Sequence, residues 1–276
     1  MPFKDILVYA DRGSAASARV EFAAAIAAAH GAHLTALHVA ATPTMAGFVL
    51  AELPQLVLDL QEKMIREDIA KLEGTVQEAG TRAGVEIEWR VGRGIVEQLA
   101  LDYARHVDLA IVGQASDDPT EATRGDRLAE ALVLGSGRPT LVVPRFGRFG
   151  VPGKRVLAAW NGTREAARAI NDALPFLEGA QKVTVLTINP RDRSVRSVPG
   201  ADISIHLARH GVKVEAATNF ADDMDVGDLL LSRASDLGAD LIVMGAYGHS
   251  RMREMVLGGA TRHLLRHMTV PVLLAH

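Results

Sequence analysis

LIVMGAYGHSRMREMVLGGAT, residues Leu241 to Thr261, decides how the chain is read. It opens on four apolar residues, Leu241 to Met244, the pattern of a strand buried on both faces. Gly245 and Gly248 follow, then nine intervening residues, then Gly258 and Gly259, then a helix-like run from Thr261 to Leu265. A strand that empties into glycines and restarts as a helix is the layout of a phosphate-binding turn. Glycine lets a backbone approach a ligand, and a helix N-terminus offers unpaired N–H groups and a positive dipole end. Taken alone, the glycines fit turn geometry equally well.

Working outward, the same unit occurs twice. Asp5 to Ala10 reads as a strand, Asp11 to Ser14 as its turn with Ser14 as helix cap, and an Ala-rich helix runs to His30. His33 to Val39 is a second strand. After Lys154, Arg155 to Trp160 is a strand, Asn161-Gly162-Thr163 a capped turn, Arg164 to Leu177 a helix and Lys182 to Ile188 a strand. Lys154 follows Asp5 by 154 − 5 = 149 residues, and Lys182 follows His33 by 182 − 33 = 149, which predicts one constant offset. Ile95 to Gly113 lies over Gly227 to Gly245 at 132, and so does Pro139 over Pro271. The first copy carries the extra length in Leu53 to Gly84, a predicted amphipathic helix with Leu53, Leu56, Leu60, Met64 and Ile65 as its apolar stripe. The second has Asn189 to Gly200 there, followed by a shorter helix. The predicted domains are 1–145 and 154–276, with a Gly- and Pro-containing linker at 146–153. Strands alternating with helices predict an α/β chain of two doubly wound parallel sheets. In such sheets ligands bind beyond the strand C-termini where strand order reverses, so Gly245, Asn161 and Asn189 are expected at one cleft.

Composition narrows the functions. A formal charge of −3, with acids and bases interspersed, argues against a general electrostatic grip on nucleic acid. There is no cysteine, hence neither disulfide nor thiolate chemistry. The N-terminus runs directly into a strand with no signal-peptide pattern, and the apolar run Phe22 to Ala29 is too short to span a bilayer, so a soluble cytoplasmic protein is expected.

Each half resembles a universal stress protein domain, and the whole chain from Phe3 to His276 resembles a tandem member of that family. The carrying residues are Gly245-x2-Gly248-x9-Gly258, the opening AWNGTREAARAINDALPFL and the close TVPVLLAH. The resemblance implies two five-stranded, adenine nucleotide alpha hydrolase-like domains paired through their last strands, Thr140 to Val143 and Val270 to Leu274. It also implies ATP or a related adenine nucleotide, with Mg²⁺, in the second half. Phosphates would lie on Gly245, Gly248, Gly258 and Gly259, and the nucleoside near Asn161 and Ile188. Two positions depart from the pattern. Gly259 stands where Ser or Thr is usual, with Thr261 as a substitute hydroxyl, and Asn161 stands where Asp is usual. In the first half Asp11 is kept, but Ser116, Asp126 and Arg127 replace the glycines at offset 132, so no nucleotide is expected there.

Other constellations are weaker. There is no Walker A sequence and no lysine between Leu241 and Thr261. Arg251 could reach a phosphate or face solvent; Arg253 and Glu254 read as surface. Asp222, Asp223 and Asp225 read as helix-capping rather than metal-binding. His263 and His267 are four apart, as a metal would want, but no third ligand is evident. His33 and His38 fall on opposite faces of a strand. Trp89 and Trp160 read as packing at strand ends. Neither catalytic residues nor a metal site is expected. The expectation is a regulatory protein that binds a nucleotide and acts through a protein partner, as an intramolecular pseudo-dimer that could also associate as a homodimer. The alternatives are an interaction protein or apolar-ligand binder, and a slow ATPase.

Overall fold

The computed structural model describes residues 2–41, 55–115, 122–189, 199–220, 225–246 and 259–276. The first half runs β1 (Asp5–Tyr9), α1 (Ala16–His30), β2 (His33–Ala41), α2 (Gln55–Ala83), β3 (Ile87–Gly94), α3 (Val96–Ala104), β4 (Leu109–Gly113), α4 (Ala122–Gly135) and β5 (Thr140–Val143). The second runs β6 (Arg155–Ala159), α5 (Arg164–Asp172), α6 (Leu174–Leu177), β7 (Lys182–Ile188), α7 (Ala201–Arg209), β8 (Val214–Asn219), α8 (Val226–Asp236), β9 (Leu241–Gly245), α9 (Gly259–His267) and β10 (Val272–Ala275).

All the strands join one sheet in the order β3-β2-β1-β4-β5-β10-β9-β6-β7-β8. Each half is a parallel five-stranded sheet, and the halves meet where β10 runs antiparallel to β5, with Leu273 opposite Leu141. The last strands pair as expected, although β10 starts at Val272 and ends at Ala275. Because side chains alternate along a strand, the sheet builds one core on each face. Ile6, Val8, Leu141, Leu273, Val156 and Val185 lie on the face covered by α1, α5 and α6. Leu7, Leu37, Val142, Leu274, Ile242 and Leu157 lie on the face covered by α3, α4, α8 and α9. Both cores run unbroken through the two halves. Leu141 and Leu273 are fully buried at the junction, each contributing about 1.5–3 kcal/mol by removal from water.

Polar and aromatic contacts lock the junction. Gln114, just past β4, donates from Nε2 to the carbonyls of Leu265 (2.9 Å) and Arg266 (2.8 Å) at the end of α9, and its Oε1 accepts from Arg145 N at 3.0 Å. Phe3 and Phe176 meet edge to face at 5.1 Å, and Phe149 meets Phe22 at 6.2 Å. Residues 146–153 carry neither helix nor strand, yet Phe149 packs against the core.

Four details differ from the sequence reading. The first strands correspond at 155 − 5 = 150, because Asp5 and Arg155 pair with His33 and Lys182 respectively, while the second strands correspond at 149. The extra residue lies between Asp11 and His33, since Asp11 and Asn161 also differ by 150. Ser14 does not cap α1: the helix starts from Ala15, with no side-chain cap, because Ala16 N already bonds to Gly13 O in the preceding turn. The predicted helix from Arg164 to Leu177 breaks after Asp172, where Pro175 has no N–H to donate back one turn. Finally, α2 buries only its C-terminal part. Val76 and Ala79 are 1% exposed, whereas Leu56, Leu60 and Met64 of its apolar stripe are 69%, 53% and 63% exposed. Among the described residues, no helix is long and apolar enough to cross a membrane.

Candidate functional site

In the second half, β6 lies between β9 and β7, so successive strands depart from it in opposite directions. That reversal makes the crevice at their C-terminal ends the expected ligand position. The registers Ala158↔Val243 and Ala159↔Leu186 bring Asn161, Ile188 and Gly245 to the same end of three adjacent strands. Asn189 follows Ile188 in a left-handed conformation at φ 47°, and its N–H donates to Asn219 O.

The turn after β6 is built by side chains. Asn161 Oδ1 accepts from Thr163 N at 3.2 Å and from Thr163 Oγ1 at 2.8 Å. Thr163 Oγ1 in turn accepts from Ala166 N at 3.3 Å and caps α5, as its place in the sequence predicts. The start of α5 then lies directly across the end of β9. A Cβ added to Gly245 would stand 2.4 Å from Ala166 N and 2.5 Å from the Glu165 carbonyl carbon, so only glycine permits this approach. Glu165 is 6% exposed at the first turn of α5. Burial acts most strongly on its carboxyl and opposes ionisation. Hydrogen bonds from Arg164, its own backbone N–H and Thr163, with the charge of Arg164, outweigh it and hold the carboxyl below its usual range.

Gly259 opens α9; it is exposed, and a Cβ there would meet nothing within 4 Å. Thr261 lies in the same first turn and is 4% exposed. Gly248, Arg251 and Gly258 fall outside the described residues, as do Arg253 and Glu254. Asp225 caps α8, accepting from Gly227 N at 2.7 Å, as predicted; Asp222 and Asp223 are outside the described residues.

The first half shows the same turn with a different occupant. Asp11 Oδ1 accepts from Gly13 N at 2.8 Å, while Oδ2 accepts from Arg19 Nη2 at 2.7 Å. Arg19 also donates from Nε to Tyr9 O at 2.9 Å and is only 3% exposed. A Cβ on Gly113, the counterpart of Gly245, would stand 2.1 Å from Arg19 Nη1. The guanidinium therefore spans the ground between the turn after β1 and the end of β4. In the second half, offset 150 puts Ala169 at this position, fully buried, and no described side chain spans from Asn161 to Gly245. The sequence reading missed Arg19; its signal is a single arginine in the Ala-rich helix ASARVEFAAAIAAAH. Ser116 and the side chains of Asp126 and Arg127 lie outside the described residues.

His33, His38 and the two tryptophans take structural positions. His33 and His38 do face opposite sides of β2: His33 bonds Glu88 at 2.9 Å, and His38 Nδ1 donates to Ala10 O at 2.7 Å. Burial, the leading cause, lowers the pKa of His38. Trp89 and Trp160 are half-buried against the α1/α5 core.

Fold and crevice together define a doubly wound α/β protein, duplicated within one chain, with a crevice at a topological switch point. The model of the universal stress protein family matches residues 2–144 and again 153–276, and the chain belongs to that family. A universal stress protein of Synechocystis sp. is 25% identical over 236 residues, covering 81% of this chain and 76% of the relative. A universal stress protein structure from Archaeoglobus fulgidus superposes with a TM-score of 0.74 at 15% identity, covering 98% of this chain and 95% of the other. A protein from Pseudomonas aeruginosa PAO1 described as functionally unknown superposes with a TM-score of 0.58 at 16% identity, covering 99% and 92%.

Proposed function

We propose that the chain is a non-catalytic regulatory protein whose second domain, 154–276, holds ATP or a related adenine nucleotide with Mg²⁺. The first domain, 1–145, holds none and is joined to it through 146–153. The phosphates lie on Gly245, Gly248, Gly258 and Gly259, with Arg251 and Thr261 beside them, and the nucleoside lies near Asn161 and Ile188. The carrying observation is the convergence of Asn161, Ile188 and Gly245 at the reversal of strand order. Gly259 at the start of α9 supports it, because a helix N-terminus offers unpaired donors to a phosphate. Arg19 supports an empty first domain, since its guanidinium already neutralises Asp11. Occupancy changes the surface shown to a protein partner, because a ligand shifts states through the contacts it makes in one and not the other.

A second reading, an interaction protein that takes no nucleotide, is favoured by the exposed stripe Leu56, Leu60 and Met64. Incubation with radiolabelled ATP, gel filtration and assay of released phosphate separates the readings. Retention without release supports the proposal. Retention with release identifies a slow ATPase, and no retention leaves the interaction protein.

A further inference from the structure

The first turns of α8 and α9 touch, and three side chains meet there. One ligand atom from each of Asp225, Asp228 and His263 lies within 4.8 Å of the other two. Gly227 makes the approach feasible: a Cβ there would stand 2.9 Å from Asp225 Oδ1, 3.0 Å from His263 Cδ2 and 3.2 Å from Ala260 O. Asp225 uses Oδ1 to cap Gly227 N, which leaves its second oxygen available. His263 Nε2 and Asp228 Oδ1 are 2.6 Å apart. Among the described residues, no lysine or arginine forms an ion pair with either aspartate. Two carboxylates are thus held together at a partly exposed site with only an imidazole to offset them.

We propose that Asp225, Asp228 and His263 bind a first-row divalent cation of the Mn²⁺ or Zn²⁺ class. Two carboxylate oxygens and one imidazole nitrogen form a donor set that such ions accept, with water completing the shell on the open side. On binding, His263 Nε2 turns its lone pair to the ion and its proton moves to Nδ1, which frees Asp228 Oδ1 to ligate. His267, the partner suggested by sequence spacing, instead bonds His263 O through Nδ1 at 2.9 Å, and its ring lies tilted by 30° against that of His263 with centroids 4.3 Å apart. The triad belongs to one half only. In the first half, α3 starts from Ile95, and Ala131 stands at 263 − 132 = 131. Because the protein supplies its three ligands from side chains outside the nucleotide crevice, the site does not depend on the nucleotide.

The test is titration of MnCl₂ into the full-length, nucleotide-free chain, following the electron paramagnetic resonance signal of free Mn²⁺. One ion per chain is expected, bound more than roughly tenfold more weakly by Asp228→Asn. That substitution keeps an oxygen for the His263 hydrogen bond while removing the charge. In the unaltered protein, substoichiometric Mn²⁺ should broaden the His263 ring protons in NMR and leave those of His33 sharp. Absence of saturable binding up to millimolar Mn²⁺, equal binding by Asp228→Asn, or no broadening at His263 would each overturn the proposal.

Discussion

After β1, Asp11 accepts the N–H two residues on through one oxygen and the Arg19 guanidinium through the other; after β6, Asn161 accepts the N–H and the hydroxyl of Thr163. The backbone turn is the same, and the charge is handled in opposite ways. In the first half an acid is kept and neutralised from inside by an arginine that is itself buried. In the second half the acid has become an amide, the arginine position is Ala169, and the start of α5 closes directly on Gly245. Duplication preserved the scaffold of the crevice and changed what faces it. A buried arginine can thus occupy one copy of the turn while the fold around it stays the same.

The comparison breaks most sharply at the two glycines. Gly245→Ala drives a methyl into the backbone of α5 and is expected to cost about 3 kcal/mol, read from chemical denaturation midpoints. Gly113→Ala meets a side-chain end and should cost clearly less; equal losses would show that Arg19 is as fixed as a helix backbone. Arg19→Ala removes the buried guanidinium's hydrogen bonds to Tyr9 O and Asp11, at a cost of about 2 kcal/mol, and should create no nucleotide site. New ATP binding in that variant would show that Arg19 alone keeps the first half empty.

Smaller effects sharpen the second half. Glu165 has a folded pKa below its ordinary 4.5, so its contribution is present above about pH 4.5 and is lost as pH falls through the folded value. Glu165→Gln should therefore cost about 1 kcal/mol at about pH 7, and the difference from the unaltered protein should shrink as pH falls through the folded value. A gap independent of pH would assign the loss to packing. Gly259→Ser has open space for its side chain and restores the hydroxyl usual in the family pattern, so a rise in ATP affinity of about fivefold is expected by calorimetry. Unchanged affinity would place the phosphates away from α9.

Much of this was legible in the sequence because strong local patterns and tertiary structure agreed. The run Lys182 to Ile188 is the strand β7 to the residue, since an alternating β-branched segment buried in mid-sheet has no competing structure. Thr163 and Asp225 cap their helices where capping residues were expected. What escaped was set by contacts distant in the chain. A buried arginine is unfavourable by composition, and Arg19 becomes acceptable only once Tyr9 O and Asp11 are folded around it. The stripe of α2 has helical periodicity, but periodicity cannot tell that the helix overruns the sheet and leaves Leu56 and Leu60 in solvent. Asp225, Asp228 and His263 come from segments 35 residues or more apart and share no motif spacing.

The most direct test of the nucleotide proposal is calorimetric titration of ATP with Mg²⁺ into three proteins: the unaltered chain, Gly248→Asp and Arg19→Ala. The account predicts one site per chain, abolished by Gly248→Asp and unchanged by Arg19→Ala. Two sites, binding that survives Gly248→Asp, or no heat up to millimolar ATP in the unaltered chain would contradict it.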